Sequence, residues 1–87
     1  MWQIDKRPQF SKQYKLLGSE RQKKVDAGIL DLAYSVNPTE KGEFKKNMRV
    51  FAYELGRGDR IIYTVRYEDY TIVLLRVGPH KVVYGKD

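Results

Sequence analysis

The chain has 87 residues, a length that suits one small domain with a single hydrophobic core. It contains no cysteine, which excludes disulfide bonds and thiolate metal sites. Hydrophobic residues make up 41% and charged residues of both signs 32%, so the composition is that of a globular protein and not of a disordered one. We therefore expect one domain, covering residues 1–87, that is stabilised by packing.

The charge is basic and unevenly distributed. The formal net charge is +6, with seven basic and five acidic residues in positions 1–40 and ten basic and six acidic residues in positions 41–87. Such a domain attracts nucleic acid, acidic membrane surfaces or acidic proteins. The N-terminal MWQIDKRPQF has no apolar signal-peptide segment, and no apolar run approaches the length of a membrane span. We expect a cytoplasmic location.

The first half of the chain predicts one strand and two helices. Trp2 and Ile4 alternate with polar residues, which indicates a short strand that ends before Pro8. A first helix follows, with Gly18 closing it. A second helix is predicted from Ser19 to about residues 37–38, because its apolar residues share one stripe at helical spacing: Val25, Ile29, Leu32, Ala33 and Val36.

The second half predicts a sheet. The polar stretch PTEKGEFKKNM is interpreted as a loop. Strands over residues 50–55 and 60–67 flank the turn GRGD and form a hairpin, and the apolar residues 71–77 form a strand inside the sheet. After the interruption Pro79-His80-Lys81, we expect residues 82–84 to resume strand pairing. The predicted class is α+β: a short strand, a helical hairpin and a three-stranded antiparallel meander, with both helices on one face.

Side-chain alternation assigns the hairpin residues to two faces of the sheet. Ile61 and Tyr63 point to the face expected to pack on the helices, and Arg60 points to the opposite face. We expect that opposite face to be concave and open to solvent, and to carry Glu54, Arg60, Arg76 and His80.

The hairpin FAYELGRGDRIIYTV and the ending LLRVGPHKVVY follow a strand and a helical hairpin along this sequence. In this order, the two stretches resemble the RelE/ParE superfamily of toxins from toxin–antitoxin systems. The resemblance covers most of the chain. It implies an mRNA interferase that enters the ribosomal A site, cleaves the bound message and is neutralised by a cognate antitoxin protein.

The resemblance also implies roles for individual residues. Arg60 corresponds to the arginine after the hairpin turn, which in the interferases contacts the scissile phosphate. His80, followed by Lys81, falls at the family's histidine–arginine pair, and Tyr84 falls at its terminal tyrosine. Arg60, His80 and Tyr84 are therefore the implied catalytic residues.

Departures from the family pattern leave more than one function open. Ala52 and Glu54 stand where several members carry basic residues, and Pro79 is inserted before His80. A variant similar to the YoeB branch, which employs a glutamate, would make Glu54 a candidate acid or base. The chain could instead be a ParE-type inhibitor of DNA gyrase, or a member without catalysis that acts only by binding.

RNA cleavage by its own 2′-hydroxyl requires a base, an acid and positive charge around the phosphorus. Histidine changes its charge between about pH 5 and 8, so His80 suits either proton transfer. The planar guanidinium of Arg60 can bind two phosphate oxygens, and Tyr84 can stack on a base. This chemistry needs no metal or other cofactor. Further cations expected to contact RNA are Arg57, Lys81, Arg76, Lys45, Lys46 and Arg49.

Each candidate also has a simpler structural interpretation. His80 is suited to a turn after Pro79, and Tyr84 to anchoring the C-terminus in a core. Arg60 is suited to pairing with Glu54 across the hairpin. The cations at positions 45, 46 and 49 are suited to a solvated loop.

Overall fold

A computed structural model describes residues 1–84 of the chain. Within this part it has five strands, three α-helices and two short 3-10 helices at Pro38–Glu40 and Tyr67–Asp69. The predicted α+β class is confirmed. None of the described helices is long and apolar enough to span a membrane. The elements follow the order β1 Gln3–Lys6, α1 Pro8–Lys15, α2 Ser19–Ala33, β2 Glu43–Lys45, β3 Val50–Gly56, β4 Asp59–Arg66, β5 Thr71–Pro79 and α3 His80–Tyr84.

The strands form one sheet in the order β1-β5-β4-β3-β2. The predicted meander is present as the antiparallel strands β3, β4 and β5. The predicted N-terminal strand β1 extends it at one edge, parallel to β5, and β2 extends it at the other edge, antiparallel to β3. The sheet therefore has five strands where the sequence indicated four, the N-terminal strand and a meander of three, and the continuous apolar strand β5 lies inside it as expected.

The main core lies between the sheet and the two long helices. Phe10, Val25 and Leu32 pack against Ile61 and Tyr63, so both helices cover one face as predicted. The packing of α2 on β3 is close. A Cβ atom added at Gly28 would lie 2.8 Å from Leu55 Cδ2, so a larger residue there would require the Leu55 side chain to move.

The helix α2 ends at Ala33, which is four to five residues earlier than predicted. The reason is a set of competing hydrogen bonds from the N-terminal segment. The backbone N–H of Trp2 donates to the Ala33 carbonyl, and its indole N–H donates to the Ser35 carbonyl. Val36, predicted on the buried stripe, is instead 97% exposed.

The stretch predicted as a loop contains the strand β2. Its three residues pair with β3 in the register Glu43 to Ala52, Phe44 to Phe51 and Lys45 to Val50. The strand is stabilised by this backbone pairing and by the contact of the Phe44 and Phe51 rings, whose centroids lie 5.2 Å apart. A strand this short and polar has no hydrophobic period, so the sequence pattern did not indicate it.

Residues 80–84 form the helix α3 instead of resuming a strand, so the prediction for this segment was wrong. The helix packs Val83 against Val50, Ala52 and Ile62 on the face of the sheet opposite to α1 and α2. Gly78 has φ of 138° and allows the chain to turn there. The sheet thus has a second, smaller core, and the expected open face is partly covered.

Two tyrosine hydroxyls attach the sheet to neighbouring segments. Tyr63, fully buried in β4, donates to the Pro38 carbonyl at 2.6 Å. Tyr53 in β3 donates to Asp31 of α2 at 2.6 Å, and Lys41 donates to the other oxygen of that carboxylate. Burial, together with the hydrogen bond to Asp31, raises the pKa of Tyr53 to about 12.

The two tyrosines give a matched test of the buried hydrogen bond. We expect Tyr63→Phe to lower the free energy of unfolding by about 1–3 kcal/mol, because the buried Pro38 carbonyl loses its partner. Tyr53→Phe should cost less, since the exposed Asp31 carboxylate can be rehydrated. Urea unfolding followed by the fluorescence of Trp2 measures both. If both variants lower the free energy of unfolding equally, the role given to the buried hydrogen bond of Tyr63 is contradicted.

Asp31 gives a test that depends on pH. The hydrogen bonds from Tyr53 and Lys41 lower the pKa of Asp31 below its ordinary value. Its contribution to stability is therefore complete above the unfolded-state pKa and is lost as pH falls through the lower folded-state pKa. We expect Asp31→Ala to destabilise the protein at pH 7, with the difference from wild type shrinking below about pH 4. A difference that does not change with pH would contradict the ionic role.

Candidate active site

The ring of Tyr84 lies at the centre of a cluster of polar and basic groups. The His80 ring contacts it edge-on, with centroids 4.5 Å apart and planes at 60°. The Arg60 guanidinium carbon lies 5.7 Å from the same centroid, and Lys45 Nζ lies 6.0 Å from it. These distances are compatible with cation–π attraction, most clearly for Arg60. An imidazole, a phenol, a guanidinium and an ammonium thus meet at one place.

Three separate elements supply these groups. His80 and Tyr84 are four residues apart on α3, a spacing that places both side chains on one side of a helix. Arg60 comes from β4 and Lys45 from β2, two strands that flank β3 in the sheet. Val83, the buried residue of α3, packs against the sheet and fixes the helix over β3 and β4. The packing of α3 therefore assembles the cluster.

The Arg60 side chain is more buried than the sequence indicated. Its side chain is 16% exposed and pairs with Glu54 at 3.3 Å, directly across the hairpin. The expectation of an open position is wrong, because α3 covers this part of the sheet. Its Nε is buried and has no hydrogen-bond partner within residues 1–84. A buried donor without a partner is uncommon and costly, and such groups are often found at functional sites.

Tyr84, like Arg60, has a buried polar atom without a hydrogen-bond partner in the described part of the chain. The ring is half-buried, and the buried polar atom is its hydroxyl oxygen. Structural tyrosines usually satisfy a buried hydroxyl, so a purely structural anchor does not explain this arrangement well.

A β-bulge directs Arg76 towards α3. Ile62 pairs with Arg76 while the next residue, Tyr63, pairs with Leu74, so Leu75 is an extra residue in β5. Without this bulge, Arg76 would share the face of Leu74 and point towards the main core. Arg76 Nη1 instead donates to the Val83 carbonyl at 3.3 Å. The prediction that Arg76 shares a face with Arg60 agrees with this geometry.

A groove of about 560 Å³ lies beside Tyr84. One wall is α3, with His80 and Tyr84, and the other is the end of β2 and the turn after it. Lys45 and Lys46, both predicted to bind RNA, line it, and Lys81 is exposed on α3. The lining residues are Phe44, Lys45, Lys46, Asn47, Met48, His80 and Tyr84.

The sequence did not single out Asn47 and Met48 as lining the groove. They lie in a polar stretch without a period, so no pattern distinguished them from a solvated loop. The one available signal was Met48, an apolar residue among charges, and it is 44% exposed in the structure. Glu54, the candidate acid or base, pairs with Arg60 and does not line the groove.

Two of the predicted cations lie elsewhere. Arg57 is at the tip of the β3–β4 turn and borders a separate cavity with Glu20, Arg21 and Lys24. Arg49 is exposed at the end of the turn before β3 and does not line the groove beside Tyr84. The structure therefore brings together Arg60, His80, Tyr84, Lys45, Lys46 and Arg76, and leaves Arg57 and Arg49 outside the cluster.

The hairpin turn next to Arg60 is fixed by an ion pair that the sequence did not indicate. Asp59, 5% exposed, accepts two hydrogen bonds from Arg21 of α2, at 2.8 and 2.6 Å. This bidentate pair connects the turn to α2 and restricts the start of β4. It thereby holds the backbone of Arg60, one residue further along the strand.

The chain is similar to known proteins in its structure, although no match is detected from its sequence. The chain matches no protein-family model, and a search of curated proteins finds no similar sequence. Solved structures do match. The chain superposes on the intact Escherichia coli RelBE toxin–antitoxin complex with a TM-score of 0.78 and 19% identity, covering 91% of this chain and 96% of the matched one.

Two further structures are similar. The isolated E. coli RelE toxin gives a TM-score of 0.75 at 19% identity, covering 98% of this chain and 93% of that one. The archaeal RelE–RelB complex from Pyrococcus horikoshii gives 0.70 at 22% identity, covering 90% and 93%. The chain therefore has the RelE fold over nearly its whole length, as the resemblance implied. Identities this low establish the fold and leave the activity to be argued from the residues.

The Tyr84 hydroxyl, which has no partner among residues 1–84, gives a stability prediction. We expect Tyr84→Phe to leave the free energy of unfolding unchanged or to raise it slightly, because it removes a buried group to which no residue in this part of the chain donates or accepts. Tyr84→Ala should lower it by about 1–3 kcal/mol, because the ring contacts to His80 and Arg60 are lost. Urea unfolding measures both. If the free energy of unfolding falls as much in the phenylalanine variant as in the alanine variant, the hydroxyl has a structural partner and is not available to a ligand.

Proposed function

We propose that this chain is the toxin of a toxin–antitoxin pair and that it acts in the cytoplasm by cleaving mRNA in the ribosomal A site. The observation that carries the proposal is the contact of His80 and Arg60 with one tyrosine ring, at 4.5 and 5.7 Å. A proton-transfer group and a phosphate-binding group are thereby placed side by side. The RelE fold supports the same proposal, since the similar structures include RelE toxins alone and with antitoxins.

In the proposed reaction, the 2′-oxygen of one nucleotide attacks the adjacent phosphorus. The bond to the 5′-oxygen of the next nucleotide breaks, leaving a 2′,3′-cyclic phosphate and a 5′-hydroxyl. One proton leaves the 2′-hydroxyl and one reaches the departing 5′-oxygen. His80, exposed at the start of α3, is the group in the cluster best suited to proton exchange at neutral pH.

The cations around Tyr84 would stabilise the negative charge that develops on the phosphorane. The planar guanidinium of Arg60 would bind the phosphate once Glu54 is displaced, and Lys45 would add a charge on the neighbouring side. In the free protein, the Arg60 guanidinium forms an ion pair with Glu54, with Nη2 and Oε2 3.3 Å apart. A bound phosphate would therefore compete with Glu54 for Arg60, and the exposed Glu54 carboxylate can move into water at little cost.

A cognate antitoxin is part of the proposal. The net charge of +6 favours an acidic partner, and the exposed cations of the groove are the groups that such a partner would neutralise. Binding there would also block access of RNA to His80 and Tyr84. The similar complexes from E. coli and P. horikoshii contain antitoxins, which is what suggests a partner of this class.

The proposal is tested by expressing the chain without an antitoxin and mapping the 5′ ends of cellular mRNA. We expect new ends inside translated codons and an arrest of growth. His80→Ala should reduce cleavage by about 10²- to 10⁴-fold, which is the usual contribution of a general acid or base. The variant should stay folded, because His80 is exposed; a far-UV circular dichroism spectrum and a urea titration check this.

Different results would point to different functions. Intact messages with growth arrest and DNA damage signalling would indicate a ParE-type action on gyrase. Intact messages with normal growth would indicate a member without catalysis, in which the pair of Glu54 and Arg60 is only structural. Cleavage that survives in His80→Ala would contradict the role assigned to the imidazole.

A further inference from the structure

The groove beside Tyr84 has two chemically different walls. The α3 wall carries His80 and Tyr84, the groups assigned to cleavage. The opposite wall carries the polar and apolar side chains of Asn47 and Met48, which have no part in the proposed proton transfers. The groove volume of about 560 Å³ falls within the range of sites that hold small ligands. The proposed cleavage therefore does not account for the second wall.

The turn that forms this wall has a defined backbone. The Met48 and Arg49 N–H groups both donate to the Lys45 carbonyl, at 3.1 and 2.8 Å. Arg49 adopts the left-handed conformation, with φ of 57°, and so returns the chain to β3. These bonds fix residues 46–48 across the groove from α3.

The charge of the groove favours RNA as its occupant. Lys45, Lys46 and His80 line it, and no acidic side chain within residues 1–84 does. Glu43, which pairs with Lys45 at 3.2 Å, lies outside the lining. Basic grooves that also present apolar or aromatic surfaces are typical of binding sites for unpaired nucleotides, because the cations bind phosphate and the apolar groups contact the bases.

Phe44 is not assigned a part in this contact. It pairs with Phe51, whose ring belongs to the main core on the helix side of the sheet. Although Phe44 lines the groove, its ring also packs on the Phe51 ring, with centroids 5.2 Å apart, so its position is explained by this cross-strand contact. Met48 and Asn47 are the remaining uncharged side chains on this wall.

We propose that this wall binds the nucleobase next to the scissile phosphate, with Met48 packing on the base and Asn47 selecting it. The inference rests on the proposed RNA cleavage and adds the residues that determine its sequence preference. Met48 presents an unbranched, polarisable side chain that packs on any base. Asn47 presents one acceptor and two donors, a pattern that matches some base edges and not others. Asn47 therefore sets which base is accepted, and Met48 contributes affinity without selection.

The test compares cleavage rates of ribosome-bound mRNAs that differ in one base beside the mapped cleavage site. For Asn47→Ala we expect the ratio of rates between the best and worst base to fall roughly ten-fold, the factor supplied by about one hydrogen bond. Asn47→Asp replaces the donors by an acceptor of the same shape and should change which base is preferred. Met48→Ala should slow cleavage of all substrates by a similar factor and leave the ratio unchanged.

The matched control is Leu30→Ala, which truncates an exposed apolar side chain of α2, 56% exposed, outside the groove. It should change neither rate nor preference. All three groove variants replace exposed side chains, and circular dichroism verifies that they fold.

Several results would overturn the inference. One is an unchanged base preference in both Asn47 variants while wild type cleaves selectively; another is a wild-type enzyme that cleaves without any preference. A third is an unchanged preference together with a loss of antitoxin binding, which would make this wall a protein-docking surface. Absence of cleavage by the wild type would instead contradict the proposed function itself, so the two failures are distinguishable.

Discussion

The packing of α3 on the second face of the sheet is the interaction on which the candidate site depends. Val83 supplies it, fully buried against Val50, Ala52 and Ile62. Gly78 makes it geometrically available, since its φ of 138° allows the chain to leave β5 and return over the sheet. The same packing places His80 and Tyr84 above Arg60 and gives the Val83 carbonyl a hydrogen bond from Arg76. A small patch of apolar surface thus determines where the polar chemistry lies.

The polar groups beneath α3 are not in a fully satisfied network. Arg60 Nε and the Tyr84 hydroxyl are buried without partners within residues 1–84. Burying such groups is unfavourable, and the main core, with Phe10, Ile61 and Tyr63 almost fully buried, provides stability that offsets this cost. The arrangement fits a site that leaves hydrogen-bonding capacity for a ligand. The ion pair of Glu54 and Arg60 fits the same view, since Glu54 neutralises the cation that would bind the phosphate in the proposed function.

Much of the fold could be predicted from the sequence, because long periodic segments carry strong signals. The face of Ile61 and Tyr63 that packs on the helices followed from alternation, and the pairing of Arg60 with Glu54 was one interpretation of the hairpin that the structure confirms. Three features could not be predicted this way. Residues 82–84 are too short an apolar run to distinguish strand from helix, and β2 owes its existence to pairing with β3. The end of α2 is fixed by hydrogen bonds from Trp2, which is distant in sequence. For the site, the resemblance singled out Arg60, His80 and Tyr84, whose catalytic roles stay predictions, whereas the wall formed by Asn47 and Met48 depended on the unpredicted β2.

The most direct test of the proposed mechanism is the cleavage, by purified protein, of ribosome-bound mRNA that carries a single 2′-deoxynucleotide at a mapped cleavage position. In this mechanism the 2′-oxygen of that nucleotide attacks, His80 exchanges the protons and Arg60 binds the phosphate. We therefore expect the all-ribose message to be cut to a 2′,3′-cyclic phosphate and a 5′-hydroxyl, and the deoxy-substituted position to stay intact. Equal cleavage of both messages, or no cleavage of either, would contradict the mechanism.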